Sequence, residues 1–314
     1  MTATALPSQR TGTAARSRPG ALGKVKKLFF PVAPAYLFMV IPAIALFTFF
    51  IIYPAIQGMF WSFTNYVGYG TWHFIGFANY QAAFGDPTIR DSYGFTLLFA
   101  VVACIVTNVT AMALALALNA KIKWRAGLRT VFFMPMVISG LVISYVFTFI
   151  LSTSVPIIAS EIHFAPLESS ILANQHTAWI GVVLVASWVA IPGAIIIFLA
   201  GLVSIPTEVY EAASIDGASP WKQFTRMTFP LLFPFFVINT ILTFKGFLNV
   251  YDVVVGLTNG GPGTATTSVA MTIFSGFFNG DYAYQMANAV IFFFITLLFA
   301  IFQLGVIRRR GGSL

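Results

Sequence analysis

Glu211-Ala212-Ala213-Ser214-Ile215-Asp216-Gly217, running on through Ala218-Ser219-Pro220-Trp221-Lys222-Gln223-Phe224 to Pro230, is a polar, helix-forming island between two long apolar runs. Pro206 and Thr207 open a first helix, and Gly217 stands where a left-handed residue would end it. Ser219 followed by Pro220 reads as the N-cap and first position of a second short helix. Pro230 is expected to mark the boundary with the next apolar run. The island therefore predicts a helix, a tight turn and a helix lying outside a membrane, presented by the spans on either side.

The apolar runs around it decide the fold class. With 58% hydrophobic and 8% charged residues among 314, the chain has too little polar surface for a soluble domain. Several runs reach the roughly 20 residues that cross a hydrocarbon core as helix, and they are continuous, unlike the alternating segments of a barrel. The expectation is an all-α membrane protein of about six transmembrane helices. Its spans read as Val32 to about Gln57, Tyr93 to Asn119, Thr130 to about Ser152, Ala178 to Val203, Leu231 to about Tyr251, and about Ala283 to Ile307. Pro42 and Pro54 read as kinks or ends of the first, and Ile191-Pro192-Gly193 as an interruption of the fourth. Gly58 to Asp91, Ser154 to Gln175 and Asp252 to Tyr282 read as loops, with Ser268 to Phe278 able to form a short interfacial helix. By domains, residues 1–30 read as a disordered basic cytoplasmic tail, 31–310 as the transmembrane domain with the polar island's loop at 204–230, and 311–314 as a short cytoplasmic end.

Charge orients the spans. Arg10, Arg16, Arg18, Lys24, Lys26, Lys27, Lys121, Lys123, Arg125, Arg129, Lys222, Arg226 and Arg308 to Arg310 fall on one side, with only Arg90 and Lys245 elsewhere. That asymmetry puts both termini and the polar island in the cytoplasm. The net charge of +8 is thus explained by the membrane surface and does not call for nucleic acid. The lone Cys104 lies within an apolar run and reads as a small core residue, so cysteine supplies neither a disulfide nor a metal site.

The island resembles the loop of ABC importer permeases, in which Glu-Ala-Ala is followed by three residues, Gly, nine residues, Ile, one residue and Leu-Pro. Glu211, Ala212, Ala213, Gly217 and Pro230 fall in register, with Met227 at the Ile position and Phe229 at the Leu position. Tyr36-Leu37-Phe38, Tyr53-Pro54, Trp61-Ser62-Phe63, Gly76-Phe77-Ala78-Asn79-Tyr80 and Thr258-Asn259-Gly260-Gly261-Pro262-Gly263 resemble patches of the carbohydrate-uptake group, of the maltose, lactose and glycerol-phosphate kind. The resemblance implies a permease subunit in a bacterial-type inner membrane. It also implies a second homologous permease, two ATPase subunits that hold the ATP and Mg²⁺, an extracytoplasmic binding protein and a sugar solute. This subunit is then no enzyme and needs no cofactor of its own.

In such a loop Glu211 makes a charged contact with the ATPase and Gly217 permits a sharp turn close to it. Trp221 and Phe224 either add apolar anchor area there or pack back onto the chain's own spans. For the solute path, Asn239, Thr243 and Gly246 share one face of the fifth span, because they repeat at i, i+4 and i+7. That face serves either a solute or hydrogen bonding between spans. Asn249 belongs to the same candidate set. Lys245 stands roughly 22 Å along the helix from Pro230, where it snorkels outward, pairs with Asp252 or meets an anionic solute.

Two other classes fit less well. An ion-coupled carrier usually places carboxylates or His within the bilayer, and none of the nine acids or three His lies deep in a span. An intramembrane enzyme would need a motif such as His-Glu-x-x-His or Gly-x-Ser-x-Gly, and neither occurs. The Gly-rich patch at Thr258 to Gly263 lacks the Lys-Ser/Thr of a phosphate-binding loop and reads as a turn.

The topology makes a direct prediction. With Cys104 replaced, single cysteines introduced at Ser8 and Ser219 are expected to resist a membrane-impermeant thiol reagent in intact cells, and one at Thr71 to be labelled. Labelling at Ser219 from outside would invert the orientation.

Overall fold

A computed structural model describes residues 34–120 and 123–310. The expected tail at 1–30 and the end at 311–314 lie outside the described residues. Among those described, six helices are long and apolar enough to cross a membrane: Phe38–Trp61, Pro87–Asn119, Gly140–Glu161, Ala178–Val203, Pro220–Leu248 and Tyr282–Gln303. Helix is the state in which such runs satisfy their own backbone away from water. The chain divides into two units, Met1–Gln57 and Gly58–Leu314. In the first, the side chains from Phe38 to Ile56 are exposed apolar groups of the kind that lipid accommodates.

Within the second unit, the second, fourth and fifth spans pack on one another. Lipid tails are as apolar as leucine, so these contacts depend on close approach more than on a hydrophobic drive. The second span supplies that approach with Ala100, Ala103, Thr107, Ala111 and Ala115, all fully buried. Phe99, Val182, Val185, Phe247 and Val254 fill one end of the interface. Leu118, Ile195, Phe198, Leu202 and Leu232 fill the other, beside the polar island. Gly201 lets the fifth span come so near that an added Cβ would lie 2.7 Å from Leu232 Cδ2 and from the Phe235 ring.

Hydrogen bonds fix the ends. Asp86 caps the second span by accepting from the N–H of Thr88 at 2.8 Å, with Pro87 at the first helical position. It also accepts from Tyr284 Oη at 2.9 Å. Partial burial pushes the Asp86 carboxyl up, but the bonds from Tyr284 and Thr88 outweigh it and hold it below its ordinary value. Ser268 caps the helix Val269–Phe278, as expected, and donates to the buried carbonyl of Val250 at 2.8 Å.

Four expectations are corrected. The third span begins at Gly140 rather than Thr130. The preceding residues form a separate helix, Arg125–Phe133, and a tight turn, Met134–Val137, which the extended Ile138 and Ser139 part from the span. Pro135 removes a helical donor at that point, which periodicity alone did not weigh. The span then runs past Ser154 to Glu161. In the fourth span, Pro192-Gly193 does not interrupt the helix. Neither Pro42 nor Pro54 ends the first.

The fourth correction concerns Pro230, which marks no boundary. The helix starting at Pro220 passes through a π turn, Phe224–Thr228, straight into Phe229–Leu248. Phe229 N–H reaches Phe224 O, five residues back. A proline has no N–H, and its ring presses on the carbonyl four residues earlier. The wider turn moves that carbonyl aside and lets the helix continue. Tyr53-Pro54 and Val155-Pro156 use the same arrangement, with Tyr53 N–H on Thr48 O and Val155 N–H on Ile150 O.

Gly201→Ala is expected to destabilise the protein by about 1–3 kcal/mol, because the new methyl must displace Leu232 and Phe235. Gly246→Ala adds its methyl to open space and is expected to cost nothing, since helical Gly is about 1 kcal/mol worse than Ala. Thermal melts in detergent compare the two; equal melting temperatures would contradict the close approach at Gly201.

Candidate functional site

The polar island folds as a capped helix, Thr207–Ile215, followed by a left-handed glycine. Gly217 has φ +72, and its neighbours close a paired cap: Ala218 N–H donates to Ala213 O at 2.9 Å and Gly217 N–H to Ser214 O at 3.1 Å. This double bond pattern satisfies two of the carbonyls that a helix end leaves free. Nothing lies within 4 Å of where a Gly217 Cβ would be, so a side chain there would meet backbone strain and no clash.

Side chains then brace the helix to the base of the fifth span. Tyr210 Oη and Thr228 Oγ1 lie 3.1 Å apart, and Gln223 Nε2 donates to Ser214 Oγ at 3.2 Å and to Ala218 O at 3.1 Å. Ala213 is buried by this packing, while Glu211 and Ala212 are exposed beside it. The two aromatic residues part company. Trp221 is 72% exposed, whereas Phe224 is half-buried and lines a cavity of about 510 Å³ with Tyr210, Gln223, Thr228, Leu116 and Leu202. Ile215, 86% exposed at the tip of the helix, was not singled out from sequence. Its signal was there, an aliphatic residue at the end of the helix, beyond the Val209 and Tyr210 that pack on the core.

The fifth-span candidates divide as well. Asn239, Thr243 and Gly246 line a single cavity of about 410 Å³ against Ala186, Ala190, Gly193, Ala194 and Ile197 of the fourth span. That volume falls within the roughly 300–1,000 Å³ of small-molecule sites. Every residue lining it is uncharged. Lys245 and Asn249 are exposed and do not line it; the Asn249 side chain instead donates to Lys245 O at 2.9 Å where the helix ends. A 100° step per residue turns both off the face that Asn239 and Thr243 occupy.

Sequence reasoning missed the second-span residues that bond to this wall from behind. Asn108, 2% exposed, donates Nδ2 to Cys104 O at 2.8 Å and to Thr243 Oγ1 at 3.0 Å. Cys104 Sγ lies 3.3 Å from the same hydroxyl, so the thiol belongs to a polar cluster and is more than apolar filler. Asn108 Oδ1 and Asn239 Nδ2 are buried there without partners, as is Thr107 Oγ1 elsewhere on the second span, each at a cost of about 1–3 kcal/mol. Three polar residues within one turn or so of an apolar span were the available signal.

The Thr258–Gly263 patch is a braced turn. Asn259, Gly260 and Gly263 have positive φ, and Thr266 ties the turn through Thr258 Oγ1 and Gly261 O, each at 2.7 Å.

Known proteins bear on this geometry. A family model described as the binding-protein-dependent transport system inner membrane component matches residues 108–311. The chain is 34% identical over 274 residues to the multiple sugar-binding transport system permease protein MsmF of Streptococcus mutans, covering 87% of this chain and 94% of that protein. It is 31% identical over 286 residues to the probable starch degradation products transport system permease protein AmyD of Thermoanaerobacterium thermosulfurigenes, covering 91% and 98%. A bacterial ABC transporter involved in the import of the acidic polysaccharide alginate has the same fold, with a TM-score of 0.77 at 21% identity over 92% of this chain and 98% of that one. The chain is a multi-pass membrane protein that belongs to the binding-protein-dependent transport system inner membrane component family.

Proposed function

We propose that this chain is the permease subunit of an ATP-driven importer and forms, with a second homologous permease, the path for a sugar or related carbohydrate. An extracytoplasmic binding protein delivers the solute, and two ATPase subunits, which hold ATP and Mg²⁺, drive the cycle from the cytoplasm. Both termini lie on that cytoplasmic side. The observation that carries the reading is kinship along nearly the whole chain with permeases named for sugar uptake.

The ATPase docks on the exposed face of Thr207–Ile215, where Glu211 offers a charge, Ile215 and Trp221 offer apolar area, and Gly217 clears the approach. Its displacement reaches the fifth span through the Tyr210–Thr228 and Gln223–Ser214 contacts. Spans then shift as packed bodies between discrete arrangements. The solute passes the wall formed by Asn239, Thr243 and Gly246, and Lys245 and Asn249 take no part in holding it. The uncharged lining favours a neutral sugar over a phosphorylated solute.

Two experiments test this. In the reconstituted complex with its binding protein, trehalose, maltose or maltotriose is expected to stimulate ATP hydrolysis, and sn-glycerol-3-phosphate is not; the reverse order would exclude the neutral-sugar reading. Glu211→Ala and Gly217→Asp are expected to insert and accumulate nearly normally, since surface changes usually cost within about 0.5 kcal/mol and a left-handed side chain roughly 1–2 kcal/mol. Uptake should nevertheless fall at least tenfold, with the ATPase lost from a pull-down or its hydrolysis unresponsive to solute. Normal uptake by both variants would sink the docking assignment.

A further inference from the structure

Asn108 is an amide with a forced orientation. Its two N–H groups are committed, one to Cys104 O at 2.8 Å and one to Thr243 Oγ1 at 3.0 Å, while Oδ1 is buried without a partner. Turning the amide over would set Oδ1 against the Cys104 carbonyl, acceptor against acceptor, and would strip Thr243 of its donor. The orphaned oxygen is therefore the consequence of aiming the nitrogen at Thr243.

That bond fixes what Thr243 can do. A hydroxyl has one proton and two lone pairs. Thr243 gives its proton to Asn239 O at 2.8 Å and one lone pair to Asn108. The Cys104 thiol, a weak donor, has the Thr240 carbonyl as a further acceptor. Thr243 is among the residues lining the cavity, and its second lone pair, contested only by the weak Cys104 thiol at 3.3 Å, is the one left for a stronger donor such as a sugar hydroxyl.

We propose that Asn108, on the second span and outside the cavity lining, is a positioning residue for solute recognition: through its amide donor it holds the Thr243 hydroxyl as an acceptor toward the cavity. The inference rests on the solute path proposed above. It assigns specificity to a buried amide that itself does not touch the solute.

The test titrates maltose and maltotriose against ATP hydrolysis by the complete complex with its binding protein. Asn108→Leu, and Asn108→Asp, which has no N–H to give, are each expected to raise the half-saturating sugar concentration about tenfold, the equivalent of one hydrogen bond. Maximal and sugar-free rates should hold. Thr243→Val should raise the half-saturating concentration by as much, the Asn108→Leu/Thr243→Val double variant should raise it no further than either single one, and Thr243→Ser, which keeps the hydroxyl, should bind sugar nearly as the wild type does. Additive losses, or an Asn108→Leu complex with unchanged half-saturation, would overturn the proposal. Should neither sugar stimulate the wild type, the sugar reading fails separately, and alkylation of Cys104 by N-ethylmaleimide decides the coupling. Equal acceleration in both single variants with no further gain in the double one upholds it; effects that multiply overturn it.

Discussion

A peptide group inside hydrocarbon has no water to bond, and an unpaired one costs several kcal/mol. Each long apolar run of this chain answers that constraint by becoming helix, and the prolines show how far the answer reaches. Tyr53-Pro54, Val155-Pro156 and Phe229-Pro230 would each leave a carbonyl pressed by a ring that offers no donor. The π turns before them widen the helix instead of ending it. A loop at those positions would have exposed more unpaired groups than the single donor each proline removes. Past the end of the helix Thr207–Ile215 the chain turns sharply, with a left-handed glycine at Gly217 and the paired cap around it.

Side-chain polarity follows the same logic. Since lipid gives packed helices little hydrophobic advantage, their contacts rest on small residues and on hydrogen bonds between spans. Most of the buried polar groups are satisfied. Tyr93 Oη reaches Asn288 at 3.0 Å, Asn288 donates to Gln285 at 3.2 Å, and Val269 N–H finds Thr96 Oγ1 at 3.0 Å. The first joins the second and sixth spans, the second stays within the sixth, and the third ties the short helix Val269–Phe278 to the second span. Asn108 and Asn239 instead keep orphaned atoms where both meet Thr243, a residue that lines a cavity.

The number of spans and most of their positions were legible because hydrophobicity that continues over roughly 20 residues fits little besides a helix crossing a membrane. The cap at Gly217 was legible because only a few residue types tolerate its backbone, and the Asn239, Thr243 and Gly246 face because helical spacing fixes direction. What escaped were outcomes set by competition. Pro135 and the prolines after the π turns carry one sequence signal, yet one precedes a break and the others do not. The difference lies in the geometry of the preceding turn, which composition does not encode. The roles of Cys104 and Asn108 escaped because they depend on which span faces which. Lys245 and Asn249 stood among the solute-path candidates as polar residues of the same span, and the turn of the helix leaves both outside the lining of this cavity.

The Pro230 junction gives the molecule its working order. A loop at Pro230 would have let soft backbone dihedrals absorb any movement of the Glu211 helix. A continuous helix from Pro220 to Leu248 instead makes the second half of the island part of the fifth span. Thr228, which meets Tyr210, and Thr243, which meets Asn108, stand on that one rod about 22 Å apart. Rotation imposed at one end must therefore appear at the other, less what the π turn takes up. The π turn lies at Phe224–Thr228, among the residues that brace Thr207–Ile215, so its compliance sits below the length of helix that carries Asn239, Thr243 and Gly246.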